Sequence, residues 1–185
     1  MIFLPQVIST VVIGVIWSWI LAPDGPLNQF LRAVHLGFLQ HNWIGSFTWT
    51  LPSLGLVGTW AAIGLCVALF VAGIQKIPRS LYDAASVDGA GRIREFFAVT
   101  LPSLRGELAV AVTLTVIGAL RAFDVIFVMT RGGPGTSTIV PGILVYNHAF
   151  ADGRVGEACA TGVVLAAMIF VIALAINWVA DRGRA

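Results

Sequence analysis

Four long apolar runs leave this chain few folds to choose from. A helix of about 20 apolar residues crosses a hydrocarbon core, and runs of that kind cover Ile2 to Leu21, Leu56 to Ile74, Leu108 to Met129 and Ala158 to Ala180. Inside a bilayer every backbone N–H and C=O must be satisfied by the protein itself, which leaves helices or closed barrels. The short alternating polar/apolar segments of an outer-membrane barrel are absent. The balance of residues agrees, with 58% hydrophobic and only 11% charged, where a soluble domain carries about a quarter. The fold class expected is all-α, a multi-pass membrane protein in lipid bilayer, with residues 1–185 as a single domain and spans at about 2–21, 56–74, 108–129 and 158–180.

Direction follows from the cations. Lys76, Arg79, Arg92, Arg94 and Arg105 crowd the break between the second and third spans, and Arg182 and Arg184 come after the fourth. Loops on the other side hold only Arg32, Arg131 and Arg154. The positive-inside tendency then places the break and both termini in the cytoplasm. Trp17, Trp19, Trp43, Trp49 and Trp60 gather towards the opposite interface as an aromatic belt. No Lys/Arg stripe with interleaved aromatics exists, which excludes nucleic acid as a partner. Cys66 and Cys159 sit in apolar runs, where thiols act as small buried hydrophobes.

Small residues recur every fourth position as Gly64, Ala68 and Ala72, as Ala111, Thr115 and Ala119, and as Ala158, Gly162 and Ala166. That spacing sets each trio on one helix face, where two backbones approach closely. Pro5 fits either a first-turn position or a kink. An apolar span beginning at residue 2, with no basic region before it, does not read as a secretory signal; it suggests a chain lacking upstream residues or a misplaced start codon.

The charged break, residues 75–107, has its own local code. Pro78 and Ser80 read as a helix start, with Ser80 as N-cap and Asp83 three residues on. Ser80 to Val87 forms a short helix, and Asp88-Gly89 stops it, since glycine accepts the left-handed conformation. Arg92 to Val99 resumes as a second amphipathic helix, which Leu101-Pro102 ends.

This segment resembles the EAA loop of binding-protein-dependent ABC importer permeases. Asp83-Ala84-Ala85, Asp88-Gly89-Ala90, Phe96 and Val99-Thr100-Leu101-Pro102 stand at that loop's spacings. The resemblance implies a helix-turn-helix that docks into a cleft on an ATP-binding subunit. Ala84, Ala85 and Ala90 would allow close approach, Asp83 would face a basic group, and Gly89 would make the turn. Two departures stand out: Asp83 is a methylene shorter than the family's glutamate, and Gly106 replaces a frequent proline.

A second stretch, Phe123-Asp124-Val125-Ile126-Phe127-Val128-Met129-Thr130-Arg131-Gly132-Gly133-Pro134-Gly135, is similar to one in the carbohydrate-uptake branch of these permeases. Tyr146-x-x-Ala149-Phe150, Pro23-Asp24-Gly25-Pro26-Leu27-Asn28 and Ile77-Pro78-x-x-Leu81-Tyr82 resemble that branch too, so the likeness covers nearly the whole chain. It implies partners: ATP-binding subunits, a second permease subunit in a heterodimer, and a solute-binding protein. ATP and Mg would sit on the partner subunits and no cofactor on this chain. The location implied is a bacterial-type inner membrane. Family members commonly have two spans more, at the N-terminal end.

Arg121 and Asp124 lie in the outer part of the third span, three residues apart on one helix face. Charges there cost several kcal/mol, and two readings remain: a structural ion pair, or a polar lining of the solute path. Phe123, Tyr146 and Asn147 join them as candidate path residues, since sugar sites combine aromatic faces with hydrogen-bonding groups. Asn177 is better placed for a helix contact.

Enzymatic chemistry finds no foothold. There is no G-x-x-x-x-G-K-[ST] and no H-E-x-x-H. Gly89-x-Gly91-x-x-Arg94 lacks its third glycine, Ser137 has no base nearby in sequence, and His35, His41 and His148 read as solvated or interfacial loop residues. The expectation is a sugar importer's permease. Its competitors are a permease for an amino acid or phosphate, and a truncated fragment without function.

Overall fold

The computed structural model describes residues 4–182, and every regular element among them is helical. In chain order these are α1 (Leu4–Val7), α2 (Thr10–Ile20), α3 (Pro26–Ala33), a 3-10 turn (Gly37–Leu39), α4 (Thr50–Gln75), α5 (Arg79–Val87) and α6 (Arg92–Glu95). A π-helical turn (Phe96–Thr100) leads to α7 (Leu101–Ser103) and α8 (Arg105–Leu120). Then come α9 (Asp124–Thr130), α10 (Pro141–Tyr146), a second π turn (Asn147–Ala151) and α11 (Val155–Arg182).

Two of the expected spans form as single helices, both longer than their apolar runs. α4 starts six residues early because Pro52 falls in its first turn, where a missing N–H costs nothing. Thr50 and Ser53 there turn their hydroxyls back to the carbonyls of Ser46 and Trp49 at 2.6 and 2.8 Å. At about 1.5 Å per residue, α4 and α11 each exceed a hydrocarbon core, and both are apolar enough to cross one.

The other two expected spans are broken. The first is interrupted at Ile8 and Ser9, where Ser9 takes an extended ψ of 136° and stands as N-cap of α2. Pro5 lies in the short helix before it, a first-turn position; Ile2, where that span was expected to start, lies outside the described residues. The third is not one helix over 108–129: α8 stops at Leu120, Phe123 turns the chain at φ −133° and ψ −56°, and α9 starts at Asp124. No Gly or Pro marks this break. The charges suit it: Arg121 is the C-cap of α8 and Asp124 the first residue of α9. A cation at a helix C-terminus and an anion at an N-terminus each oppose the local dipole charge. At its other end α8 is bent by 69° from the α6–α7 path, and the two together are apolar enough to count as one bent crossing.

The core lies at the tryptophan-bearing end. Ile13 and Leu21 of the first segment pack with Leu54 and Val57 of α4, Ile126 and Met129 of α9 and Ile143 of α10, under a cover that includes Trp17, Trp43, Trp60 and Phe123. Of the small-residue rows, only Gly64, Ala111 and Ala158 are buried. The tight approaches are elsewhere: a methyl on Gly14 would lie 3.0 Å from Val128 Cγ1, so α2 and α9 meet there. Val163, Val164, Phe170, Val171 and Trp178 of α11 stay more than half exposed, on a helix apolar enough to cross a membrane. Cys66 is half-buried and Cys159 exposed; both are free thiols, so only Cys66 has the sheltered position expected of both.

Candidate functional site

The charged break folds into two short helices joined by a turn at Gly89. α5 runs from Arg79 with Pro78 as its N-cap, so Ser80 is already inside the helix and is not the cap. Its end is a Schellman motif: Ala90 N–H donates to Ala85 O at 2.9 Å and Gly89 N–H to Ser86 O at 3.0 Å. Gly89 sits at φ +71° with open space where a Cβ would be. Glycine is needed there for its backbone and not for room.

The second helix does not end at Leu101-Pro102 as expected but continues to Ser103. Pro102 cannot bond the Ala98 carbonyl and crowds it, so the preceding turn widens: Leu101 N–H donates to Phe96 O, five residues back. Leu104 N–H to Thr100 O at 3.1 Å restores the regular spacing.

This pair of helices has an unpartnered face. No residue of α5 or α6 is buried. Val87, Ile93 and Phe97 are 89%, 79% and 62% exposed, and Leu81 and Phe96 46% each, so large apolar side chains stand in the open beside the charges of this segment. Arg79, Asp83, Asp88, Arg92, Arg94 and Glu95 join none of the ion pairs among the described residues. Ala85 and Ala90 are half-buried and Ala84 exposed. Phe96 meets Phe97 edge to face at 5.2 Å, and Leu101 and Pro102 lie at the base of the hairpin, partly covered. Among the described residues one side-chain hydrogen bond reaches from α5 to the chain beyond: Tyr82 and Thr100 hydroxyls lie 3.2 Å apart.

At the far end of α8 the aromatics form a ladder. Phe123 stacks on Phe127 (5.0 Å, 23°), Phe127 meets Tyr146 edge-on (4.8 Å, 60°), and Tyr146 adjoins Phe150 (5.2 Å). Phe123 and Tyr146 were expected on a solute path; Phe127 and Phe150 complete the ladder, and their i,i+4 spacing from the first two was the signal for them. Asn147, half-buried, opens the π turn just beyond Tyr146 and gives its carbonyl to Asp152 N–H at 2.9 Å.

Arg121 and Asp124 are not brought together. They belong to different helix ends, both are exposed, and no ion pair joins them among the described residues. Arg121 instead borders an open apolar groove of about 490 Å³ between α8 and α11, beside Ile117, Gly162 and Ala166. The shared face expected of the pair required an unbroken helix, and the break removes it.

Two clusters had no local signature. Asn28, 3% exposed, organises the loop after α2: its Nδ2 donates to Pro23 O (3.0 Å) and His41 O (3.1 Å), and its Oδ1 accepts from Trp43 Nε1 (2.9 Å). His41 is stacked on Trp49 at 4.4 Å and is no solvated residue. His148 likewise faces Asp152 and Glu157 at 3.2 and 3.7 Å, with Arg154 on Glu157 at 3.4 Å. His35 is exposed as expected and caps α3 in a left-handed conformation, φ +60°. The Gly-rich turn is tied by Thr138, buried, whose hydroxyl lies 2.8 Å from Gly133 O and 2.9 Å from Thr130 Oγ1.

Residues 1–182 match the family described as "Binding-protein-dependent transport system inner membrane component". The chain is 38% identical over 176 residues to the probable ABC transporter permease protein YurN of Bacillus subtilis (strain 168), covering 95% of this chain and 59% of that protein. It is 37% identical over 174 residues to the diacetylchitobiose uptake system permease protein NgcF of Streptomyces coelicolor, covering 92% and 49%. A crystal structure of a bacterial ABC transporter involved in import of the acidic polysaccharide alginate superposes with a TM-score of 0.85 at 26% identity, over 98% of this chain and 63% of that one. The same transporter has been solved in complex with an alginate pentasaccharide-bound periplasmic protein. This chain thus spans from about half to under two thirds of the length of these relatives.

Proposed function

We propose, because this chain belongs to the family of inner membrane components of binding-protein-dependent transport systems, that it is a membrane-spanning permease subunit of an ATP-driven carbohydrate importer. The observation that carries this reading is the hairpin α5–α6: a glycine turn at φ +71°, apolar side chains in the open, and charges that join no ion pair among the described residues. The solutes named for relatives, diacetylchitobiose and alginate among them, support a carbohydrate cargo over an amino acid or phosphate.

In this reading the hairpin enters a cleft on an ATP-binding subunit, which holds ATP and Mg. A second permease subunit completes the membrane unit as a heterodimer, and a solute-binding protein delivers cargo to the tryptophan-bearing side. The chain lies in the inner membrane with both termini in the cytoplasm. Asp83 faces a basic group of the ATPase, while Ala84, Ala85 and Ala90 let the surfaces close. When the ATPases close on ATP, the hairpins move together and rock the helices, so that the cavity turns outward; hydrolysis returns it inward. The ladder Phe123, Phe127, Tyr146 and Phe150 offers aromatic faces to the C–H faces of a sugar ring, with Asn147, Arg121 and Asp124 supplying polar contacts near it.

The test is ATP-dependent uptake of labelled oligosaccharides by cells with and without the gene for this chain. Loss of carbohydrate uptake on deletion, with amino-acid and phosphate uptake intact, supports the assignment. Unchanged carbohydrate uptake overturns it.

A further inference from the structure

α5 packs lightly on the rest of the chain, which makes its one side-chain hydrogen bond among the described residues informative. α5 buries no residue. Its side-chain bond to the chain beyond runs from Tyr82, half-buried, to the Oγ1 of Thr100, which is 8% exposed and ends the widened π turn. In a helix a threonine hydroxyl commonly bonds the carbonyl four residues back, as Thr113 and Thr115 do here at 2.8 Å. Thr100 instead points its hydroxyl at Tyr82.

The elbow begins directly after Thr100. The Thr100 carbonyl accepts Leu104 N–H at 3.1 Å, and Leu104's carbonyl accepts Leu108 N–H at 2.8 Å, already inside α8. Leu104, 6% exposed, is the pivot of the 69° bend and is seated against Gly73 of α4. A π turn is a place where the regular ladder is one residue out of step, and such turns recur at functional sites. The tie therefore reaches from α5 across to the last residue of the π turn, and the pivot at Leu104 follows directly.

We infer that the Tyr82–Thr100 hydrogen bond is the joint that transmits displacement of α5 to the elbow at Leu104, and that Tyr82 and Thr100 are positioning residues for transport. This rests on the proposed function. Without the bond, α5 would still dock, because neither hydroxyl lies on its exposed face, but its movement would be taken up by the π turn before it reached α8.

The experiment measures solute imported per ATP hydrolysed, in the assembled transporter reconstituted in liposomes, for wild type, Tyr82→Phe, Thr100→Val, the double variant and Thr100→Ser. Each change keeps the bulk of the side chain, and Thr100→Ser keeps the hydroxyl. The expected result is a fall in solute per ATP of about fivefold for Tyr82→Phe and Thr100→Val, the scale of one net hydrogen bond. The double variant should be no worse than either single one, Thr100→Ser should stay near wild type, and recovery of the ATP-binding subunit should be unchanged in all. Normal solute per ATP in both hydroxyl-free variants overturns the joint and leaves the proposed function standing. Loss of the ATP-binding subunit in those variants also overturns it, since the bond would then serve docking. A wild-type transporter without ATP-dependent uptake removes the proposed function and the joint with it.

Discussion

Gly73 and Leu104 touch where α4 meets the start of α8: a methyl on Gly73 would lie 2.6 Å from Leu104 Cδ2. The same methyl would come within 2.7 Å of Glu107 Cγ, whose carboxylate is 3.4 Å from Lys76 Nζ. Leu104 is itself buried, so making room for that methyl requires a shift within packed surroundings. Gly73→Val should therefore overpack the elbow and cost about 1–3 kcal/mol, lowering the melting temperature of the detergent-solubilised protein. Gly55→Val, at a site with open space, should leave it within error.

Asn28 is a second point where one side chain holds much. Asn28→Ala leaves the carbonyls of Pro23 and His41 and the indole of Trp43 without their partners. At about 1–3 kcal/mol for an unsatisfied buried group, the loop should loosen. Tryptophan emission should shift to longer wavelength, and limited proteolysis should cut between residues 23 and 49. Asn28→Asp should be at least as damaging, because a carboxylate cannot donate to the two carbonyls.

The charges at the α8–α9 break should act independently. Arg121→Ala and Asp124→Ala each remove a favourable charge from a different helix end, worth about 0.3–1 kcal/mol. In a double-mutant cycle read by thermal melting, the two effects should add to within about 0.5 kcal/mol. A coupling energy well beyond that would mean that they form a pair.

The aromatic ladder sets a rule for uptake kinetics. Tyr146→Leu removes a ring from between Phe127 and Phe150, and should raise the KM for solute by roughly 2–10-fold, the scale of an aromatic contact. Tyr146→Phe should leave KM near the wild-type value. Equal KM in Tyr146→Leu would take the ladder off the solute path.

What could be read from the sequence was what short-range spacing controls. The family resemblance, an all-α membrane fold, and a helix stopped at Asp88-Gly89 all came from patterns within a few residues, and the chain's family membership and the Schellman turn bear them out. The break at Arg121–Phe123 was hidden because an apolar run without Gly or Pro reads as continuous, while the charges that end one helix and start the next look like an i,i+3 pair. Which glycine admits a neighbouring helix was hidden as well: Gly73 and Gly14 lie outside the regular rows, and the choice among glycines is made by the partner's side chain. The Asn28 knot joins residues 13 and 15 apart through a loop with no periodic pattern.

The central claim is that the hairpin around Gly89 is a docking piece, and recovery of an ATP-binding subunit tests it most directly. Membranes are solubilised gently, the transporter is captured through this chain, and co-purifying proteins are identified for wild type, Gly89→Asn and Gly89→Val. At φ +71° a β-branched residue is strained by at least about 1–2 kcal/mol, whereas asparagine tolerates the left-handed region. The account predicts an ATP-binding subunit with wild type, most of it retained with Gly89→Asn, and loss with Gly89→Val at equal membrane insertion. Equal recovery with all three, or no ATP-binding subunit with wild type, would contradict it.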